Sequence, residues 1–301
     1  MRRVHLALIA VQVLFGLWPV AGSAVLGVLS PQALIGFRLF LGAPCLLLVA
    51  RLSGEHARGP KLTFRDLARL FGLAILGITA NQILFVEGLR RAGPINASVL
   101  LLIIPAVTLL VATLIGRERP NRLRLSGVAI AISGALMLVG VERFQLQDSK
   151  LVGNLLLVAN SSSYAVFLVL ARPLIGRLGS LRVMSWVFLI GALQCSPYVL
   201  SSFLALQPGA LPGWALGSLA FILVGPTLLT YILNGYALTR VESSVVAVYI
   251  YLQPLIATTA AWLVLHQKPT FRTLVAGCVI VVGVALSTEL WKLRRGSSAL
   301  R

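Results

Sequence analysis

Arg38 is a basic residue inside an apolar run, seven residues after the run begins at Pro31. At about 1.5 Å per helical residue, it lies roughly 10 Å inside the run, where an unpaired arginine costs about 2.5 kcal/mol or more. Its guanidinium must therefore face protein or water. It could anchor a carboxylate of a bound molecule or form a gating salt bridge. A structural ion pair and snorkelling to the surface are the alternatives.

Glu87 is a carboxylate near the end of another apolar run, about 3 Å from that end by the same helical rise. It could carry a proton or pair with Arg38, since two long side chains can bridge a difference in depth. Alternatively, it pairs at the interface with Arg90 and Arg91, which follow it by three and four residues. The sequence leaves both interpretations open.

Amide, hydroxyl and aromatic side chains also occur within the apolar runs. Such groups need hydrogen-bond partners in hydrocarbon, so we expect them to face the interior of a bundle. There they could line a cavity and bind the amino and carboxyl groups of a zwitterion, or they could hydrogen-bond one helix to another. The candidates are Trp18, Asn81, Gln82, Asn96, Asn160, Ser163, Tyr164, Asn234, Tyr249 and Gln253.

Four prolines are expected to break helices, because each removes a backbone hydrogen bond and frees a carbonyl about one turn earlier. These helix breaks are Pro19, Pro105, Pro226 and Pro254. Breaks are tolerated where neighbouring helices or a watery cavity satisfy the backbone. They could therefore bend helices around a central site, or they could be purely structural kinks.

Membrane-spanning helices are the elements that must position these residues. The 301 residues are 58% hydrophobic and 11% charged, with a mean hydropathy of +0.94, which excludes a soluble globular domain. We predict an all-α integral membrane protein with ten transmembrane helices. The predicted spans are about 4–25, 31–51, 67–89, 94–115, 123–141, 151–172, 183–204, 212–238, 244–265 and 271–291.

Basic residues alternate in number between successive connections, which predicts the orientation of the chain. If both termini are cytoplasmic, 19 of the 26 basic residues lie inside and 6 outside, with Arg38 within a span. The net charge of +18 is then mainly a topology signal that faces anionic membrane lipid. Because the basic residues are spread between apolar runs, we expect no nucleic-acid partner.

The chain resembles itself at an offset of 149 residues. Eleven identities fall between residues 77 and 134, among them Pro105 with Pro254 and Gly134 with Gly283. The offset divides the chain into two units, 1–145 and 146–301. Five helices are an odd number, so the second unit must enter the membrane from the opposite side. We therefore predict two inverted five-helix repeats, an arrangement common in secondary transporters.

The residues resemble the EamA-like ten-helix transporters of the drug/metabolite transporter superfamily along essentially the whole chain. The resemblance is carried by Phe15-Gly16-Leu17-Trp18-Pro19, Phe37-Arg38, Asn81-Gln82, Phe85-Val86-Glu87-Gly88-Leu89, Pro105, Gly116-Arg117-Glu118, Gly127, Gly134, Tyr251-Leu252-Gln253-Pro254 and Gly283. His266-Gln267-Lys268 departs from the family pattern, which usually has an acidic residue after the ninth helix. The resemblance implies a carrier of a small-molecule solute, often an exporter of amino acids or other metabolites.

We therefore expect a secondary transporter in the cytoplasmic membrane that works by alternating access, as a monomer or homodimer. The sequence contains no Gly-rich phosphate loop, and we expect no cofactor, metal or catalytic residue. A channel and a non-transporting membrane scaffold are the alternatives. An intramembrane lipid-modifying enzyme is disfavoured, because the three histidines lie at or beyond the ends of the spans.

Overall fold

The computed structural model describes residues 2–54, 60–116, 122–139, 148–230, 232–233 and 249–288, and within these ranges the chain forms helices and no strand. The predicted all-α class is therefore confirmed. Ten long helices follow one another: α1 (Arg2–Val25), α2 (Pro31–Leu52), α3 (Phe64–Ala92), α4 (Pro94–Leu114), α5 (Arg122–Val139), α6 (Ser149–Leu178), α7 (Ser180–Leu204), α8 (Gly213–Leu229), α9 (Leu252–Leu265) and α10 (Phe271–Thr288).

Six of these helices, α1 to α4, α6 and α7, are long and apolar enough to cross a membrane. The other four, α5, α8, α9 and α10, contain shorter apolar stretches of 10–17 residues. They lie at the remaining four predicted spans, although part of the eighth and ninth spans falls outside the described residues. The architecture agrees with the expected helix order, and the ten-span inverted topology stays a prediction.

Helix boundaries follow from local sequence signals. Ser30 caps α2 by accepting a hydrogen bond from the Ala33 backbone N–H at 3.2 Å, with proline in the first turn. Gly93 and Gly179 join α3 to α4 and α6 to α7 as single residues with φ of 82° and 90°. Glycine adopts this backbone region without strain, so these two connections can be very short. The helices they join are held close together.

The helices pack in pairs that cross between the two halves of the chain. The strongest pairings are α5 with α10, α3 with α6, α2 with α7, α4 with α6, and α1 with α9. Smaller contacts join α1 with α8. We call the end of the bundle where α1 and α3 begin the proximal end, and the opposite end the distal end.

Irregular helical turns occur at corresponding positions in the two halves. α3 contains a π-helical segment at Ile75–Thr79, and α8 contains one at Leu223–Leu229. A 3₁₀ segment at Leu101–Ile103 interrupts α4, and another at Tyr249–Tyr251 precedes α9. Moving the first member of each pair along the chain by 149 residues places it on, or within one residue of, the second.

Three of the four predicted helix breaks accompany these irregular turns. Pro105 and Pro254 follow the two 3₁₀ segments, and Pro226 lies inside the second π-helical segment. α1, however, continues through Pro19. The missing N–H costs α1 one hydrogen bond, but a helix surrounded by other helices can keep its course. The helix is therefore continuous at Pro19, and a bend of α1 at that residue stays a prediction.

Small residues allow α5 and α10 to approach closely. A side chain at Gly283 would collide with the Ala131 backbone, whereas one at Gly277 would make ordinary contact with Val99 at 3.6 Å. The absence of a side chain at Gly283 therefore lets α10 pack against α5 within one chain.

Replacing Gly283 by alanine is expected to lower stability by about 2 kcal/mol, because the α5 backbone cannot move aside without separating the two helices. Thermal unfolding in detergent measures the effect. Gly277→Ala is the matched control, since it gains the same helix propensity without the collision. If both variants unfolded at the same temperature, the close packing of α5 on α10 would be refuted.

Candidate functional site

Arg38 lies at the centre of a buried cluster formed by four helices. Its Nη1 donates a 2.7 Å hydrogen bond to Gln82 Oε1 on α3, and its Nε donates one of 3.3 Å to Thr227 Oγ1 on α8. Its guanidinium carbon lies 4.3 Å from the centre of the Trp18 ring on α1. Arg38 and Gln82 are each 5% exposed, and Thr227 is fully buried. We call these four residues the central cluster.

The two π-helical segments place two members of the central cluster. Thr227 lies within the segment of α8, and its hydroxyl donates to the Ile222 carbonyl at 2.8 Å. Gln82 follows the segment of α3 by three residues. A π turn shifts the register of the side chains after it, and such turns are frequent at functional sites. Here they aim two polar groups at one guanidinium.

An aromatic surface forms one side of the cluster. Trp18 stacks on Phe85 of α3 with ring centres 5.7 Å apart, and both side chains are buried at 6% exposure. A desolvated guanidinium over an indole is stabilised by about 2 kcal/mol. The cluster therefore combines a fixed positive charge with a flat apolar wall.

Two predicted polar residues of α6 bind backbone carbonyls of α3, the helix that carries Gln82. Asn160 Nδ2 donates to the Asn81 carbonyl at 2.8 Å, and Ser163 Oγ donates to the Leu76 carbonyl at 2.8 Å. Both carbonyls lie in or near the π-helical segment of α3. Asn160 is 1% exposed, and its Oδ1 has no hydrogen-bond partner within the described ranges. A buried acceptor of this kind costs about 1–3 kcal/mol.

Two further predicted residues connect α1 to the start of α9. Gln253 Nε2 donates to Gln12 Oε1 at 2.6 Å, and both side chains are buried. Tyr249 Oη lies 2.6 Å from Nδ1 of His5, close to the proximal end. These contacts join the two halves of the chain. In them, Gln253 and Tyr249 bind partners other than Arg38.

The remaining predicted polar residues lie elsewhere. Asn96 Nδ2 donates to Asn154 Oδ1 at 3.1 Å near the distal end. Tyr164 stacks on Phe167 of its own helix, with ring centres 5.7 Å apart. Asn234 lies outside the described residues. The predicted set therefore contains one compact group, Trp18, Arg38 and Gln82, and a second set of contacts in which Asn160 and Ser163 bind the backbone of α3.

Glu87 contacts groups at the distal end of α3. Its Oε2 lies 3.4 Å from Arg91 Nη2, and its Oε1 accepts a 3.1 Å hydrogen bond from the Tyr198 hydroxyl on α7. The i, i+4 pair with Arg91 matches the interfacial interpretation of this carboxylate. The contact with Tyr198 also links the first half of the chain to the second.

Polar contacts join the start of α3 to α6 and α7 at the proximal end. Arg177 forms an ion pair with Asp66, whose side chain is 2% exposed, and Arg182 Nη1 donates to the Pro60 carbonyl at 2.9 Å. Asp66 and Thr63 also form a capping box at the start of α3. We call the Asp66–Arg177 pair with the Arg182–Pro60 bond the proximal latch. It ties the first half of the chain to the second.

Sequence reasoning missed Thr227 and Phe85 as members of the site. Thr227 directly follows Pro226, so a polar residue beside a predicted helix break was an available signal. Phe85 carried none, because an aromatic residue in an apolar run is usually a packing residue. Within the described ranges, no three His, Cys, Asp or Glu side chains lie close enough together to hold a metal ion.

Comparison with known proteins agrees with this architecture. The pattern of the EamA-like transporter family matches residues 2–140 and again residues 151–288. The chain belongs to the EamA-like transporter family. This EamA-like protein is thus a multi-pass membrane transporter and not an enzyme.

Relatives of this EamA-like transporter occur in archaea, bacteria and plants. It is 27% identical to a protein named "Uncharacterized transporter" of Archaeoglobus fulgidus over 261 residues, 86% of this chain and 88% of the relative. It is 23% identical to "Uncharacterized transporter YoaV" of Bacillus subtilis, covering 98% of this chain and all of the relative. "Protein WALLS ARE THIN 1" of Arabidopsis thaliana is 24% identical, and the match covers 98% of this chain and 70% of the relative.

A solved structure has the same fold as this EamA-like transporter. A crystal structure with 18% sequence identity covers 95% of this chain and 96% of its own, with a TM-score of 0.64. At that identity the likeness concerns the arrangement of helices alone.

Proposed function

We propose that this EamA-like protein is a secondary transporter that moves a small amphipathic metabolite, an amino acid in the first instance, by alternating access. The supporting observation is the central cluster, in which a buried arginine of the first half bonds both halves of the chain. Export is the direction that the resemblance to the drug/metabolite transporter superfamily implies. Without a phosphate-binding loop, the transport would run on a gradient or by exchange.

The chemistry of the site suits a zwitterion. Arg38 would bind the carboxylate, since a guanidinium offers a planar set of donors that matches it. The amide oxygen of Asn160, which has no partner within the described ranges, would accept a hydrogen bond from the ammonium group. The two residues meet α3 at the consecutive positions Gln82 and Asn81. Trp18 and Phe85 would contact an apolar side chain.

The packing supports two inverted five-helix units, 1–145 and 146–301. Moved by five helices, the α1–α9 contact becomes α6–α4, α1–α8 becomes α6–α3, and α2–α7 and α5–α10 map onto themselves. Side-chain contacts follow the same relation. Thr227 packs on Gly42, and Ile78, its counterpart 149 residues earlier, packs on Gly191, the counterpart of Gly42. Such pairings are expected of inverted repeats related by a pseudo-two-fold axis in the plane of the membrane.

The central cluster departs from this internal symmetry. The counterpart of Thr227 is Ile78, and the counterpart of Arg38 is Val187. A polar contact in one unit therefore corresponds to an apolar pair in the other. Since packing needs no arginine at this position, the asymmetry supports a binding role for Arg38.

We propose that the protein lies in the inner membrane of the cell, with its proximal end and both termini in the cytoplasm. The support is the distribution of basic residues in the sequence, since 19 of the 26 fall in the segments predicted to lie on this side. In this orientation the proximal latch holds the cytoplasmic end closed. The related positions at the distal end, Val28 and Ala215, carry no charge. Rocking of the two units would break the latch in each cycle.

A panel of related solutes tests the proposed substrate class. Binding to the purified protein would be measured with an amino acid, its methyl ester and the corresponding decarboxylated amine. The amino acid is expected to bind best, because the other two lack the carboxylate that Arg38 would hold. Equal binding of all three, or binding of none across a range of amino acids, would contradict the proposed substrate class.

Substitution of Glu87 is a separate test of proton coupling. If Glu87 carries the coupling proton, Glu87→Gln should abolish pH-driven transport and leave solute exchange intact. Transport and exchange would be measured in proteoliposomes with and without a pH gradient. Arg91→Gln is the matched control, because it breaks the same ion pair and keeps the carboxylate. An unchanged pH dependence in Glu87→Gln would end the coupling hypothesis and leave Glu87 an interfacial ion pair.

A further inference from the structure

A cavity of about 250 Å³ opens at the distal end, away from the central cluster. It lies between the α3–α4 connection, the start of α6 and the α9–α10 connection. Its lining combines basic, amide and hydroxyl side chains. The polar lining residues are Asn96, Lys150, Gln267, Lys268, Thr270 and Thr273.

The floor of this cavity is a fixed polar network. Asn96 Oδ1 accepts a hydrogen bond from Thr273 Oγ1 at 3.4 Å, and Asn96 Nδ2 donates to Asn154 Oδ1 at 3.1 Å. Thr270 and Thr273 share a further hydrogen bond of 2.8 Å. Asn96, Asn154 and Thr273 are each 5% exposed or less. Packing around these buried groups gives the cavity a rigid base.

Lys150 and Lys268 are exposed basic residues that line the same cavity. Both lie on the side where the topology signal requires few basic residues. Two like charges that line one small space repel each other, and an anion bound between them would offset that repulsion. Asp148 is the acidic group next to Lys150 in the chain, and its Oδ1 accepts hydrogen bonds from the Lys150 and Leu151 backbone N–H groups.

We propose that this cavity binds a phosphate-type anion. Its volume is below the roughly 300 Å³ at which pockets for whole small molecules begin, so it suits a headgroup or a small ion. Ammonium groups bind phosphate as point charges, whereas carboxylate recognition favours the guanidinium fork. The anion could come from a phospholipid headgroup, since the ends of the helices lie at headgroup depth, or from free phosphate.

Binding to the full chain in detergent tests this proposal. Thermal unfolding would be followed against rising dioleoylphosphatidylglycerol in phosphatidylcholine-containing micelles, and separately against sodium phosphate with sodium chloride at equal ionic strength. At least one of the two anions is expected to stabilise the protein saturably. The double variant Lys150→Gln/Lys268→Gln should weaken that binding on the order of 30-fold.

A matched control removes two exposed basic residues at the proximal end, Lys61→Gln with Arg65→Gln. This control should bind within twofold of the wild type. Stabilisation by phosphatidylglycerol alone would identify a lipid headgroup, and stabilisation by phosphate as well would identify a site open to the free anion. Equal binding by wild type and Lys150→Gln/Lys268→Gln, or no saturable effect of either anion, would overturn the proposal. This site is independent of the central cluster, so either outcome leaves the proposed transport function untouched.

Discussion

Arg38→Ala is expected to reduce amino-acid affinity and transport by about 10- to 150-fold, because a hydrogen bond to a charged group is worth about 1.5–3 kcal/mol. The guanidinium is the fixed positive charge of the central cluster and lies between both halves of the chain. Binding and uptake would be compared between wild type and variant in the same lipid. The variant also loses the contacts of Arg38 with Gln82, Thr227 and Trp18, so its folding must be checked by thermal unfolding.

Arg38→Lys separates charge from geometry. Lysine keeps the positive charge but cannot hold Gln82, Thr227 and a carboxylate in one plane. We expect it to fold and to retain weak binding, between the wild type and Arg38→Ala. Thr227→Val is a second comparison, because it removes only the hydroxyl that accepts from Nε and nearly preserves the side-chain volume. Wild-type affinity in folded Arg38→Ala would refute the role of the cluster in binding.

Arg177→Glu is expected to release the proximal latch, because it places a second carboxylate against the buried carboxylate of Asp66. Because Arg177 is itself 44% exposed, water screens part of the repulsion between the two carboxylates. We therefore expect a shift of about tenfold towards the state open at the proximal end. The readout is maleimide labelling of Leu70→Cys with the native cysteines replaced. Leu70 is fully buried one turn from Asp66, so labelling requires opening.

The control for the latch is Arg172→Glu on the same helix, where the arginine side chain is exposed. It makes the same change of charge without facing Asp66. In Arg172→Glu, Leu70→Cys should be labelled at the same rate as in the protein with the intact latch. In Arg177→Glu, it should be labelled about ten times faster. Equal rates in the two variants would contradict the role of the latch in closing this end.

Composition and periodicity were sufficient to predict the helices, because apolar runs of membrane length have few other stable structures. The helix order and the all-α class follow from them. Composition and periodicity did not predict that α1 continues through Pro19. One missing N–H can end a helix or be tolerated, and the packing around the helix decides between these outcomes. That packing is a tertiary property.

Part of the candidate site could be predicted and part could not. Arg38, Gln82 and Trp18 were found because polar or aromatic residues in hydrocarbon need partners within the bundle. Their meeting with Thr227 depends on two π-helical segments. A single extra residue in a helical turn rotates the side chains after it. Pro226 predicted a break within the segment of α8, but no local sequence signal marked the segment of α3 or the π geometry itself. Asn96, Tyr249 and Gln253 also have hydrogen-bond partners within the bundle, but away from Arg38. The need for a partner does not determine which residue supplies it.

Solute counterflow in proteoliposomes tests the central claim most directly, namely that this EamA-like protein is a carrier with a binding site at Arg38. Vesicles loaded with unlabelled amino acids would be diluted into a trace of the labelled compounds. A carrier with alternating access predicts transient accumulation of label above its equilibrium level, saturating with concentration and lost in Arg38→Ala. A monotonic, non-saturating approach to equilibrium, or accumulation that is undiminished in Arg38→Ala, would contradict the claim.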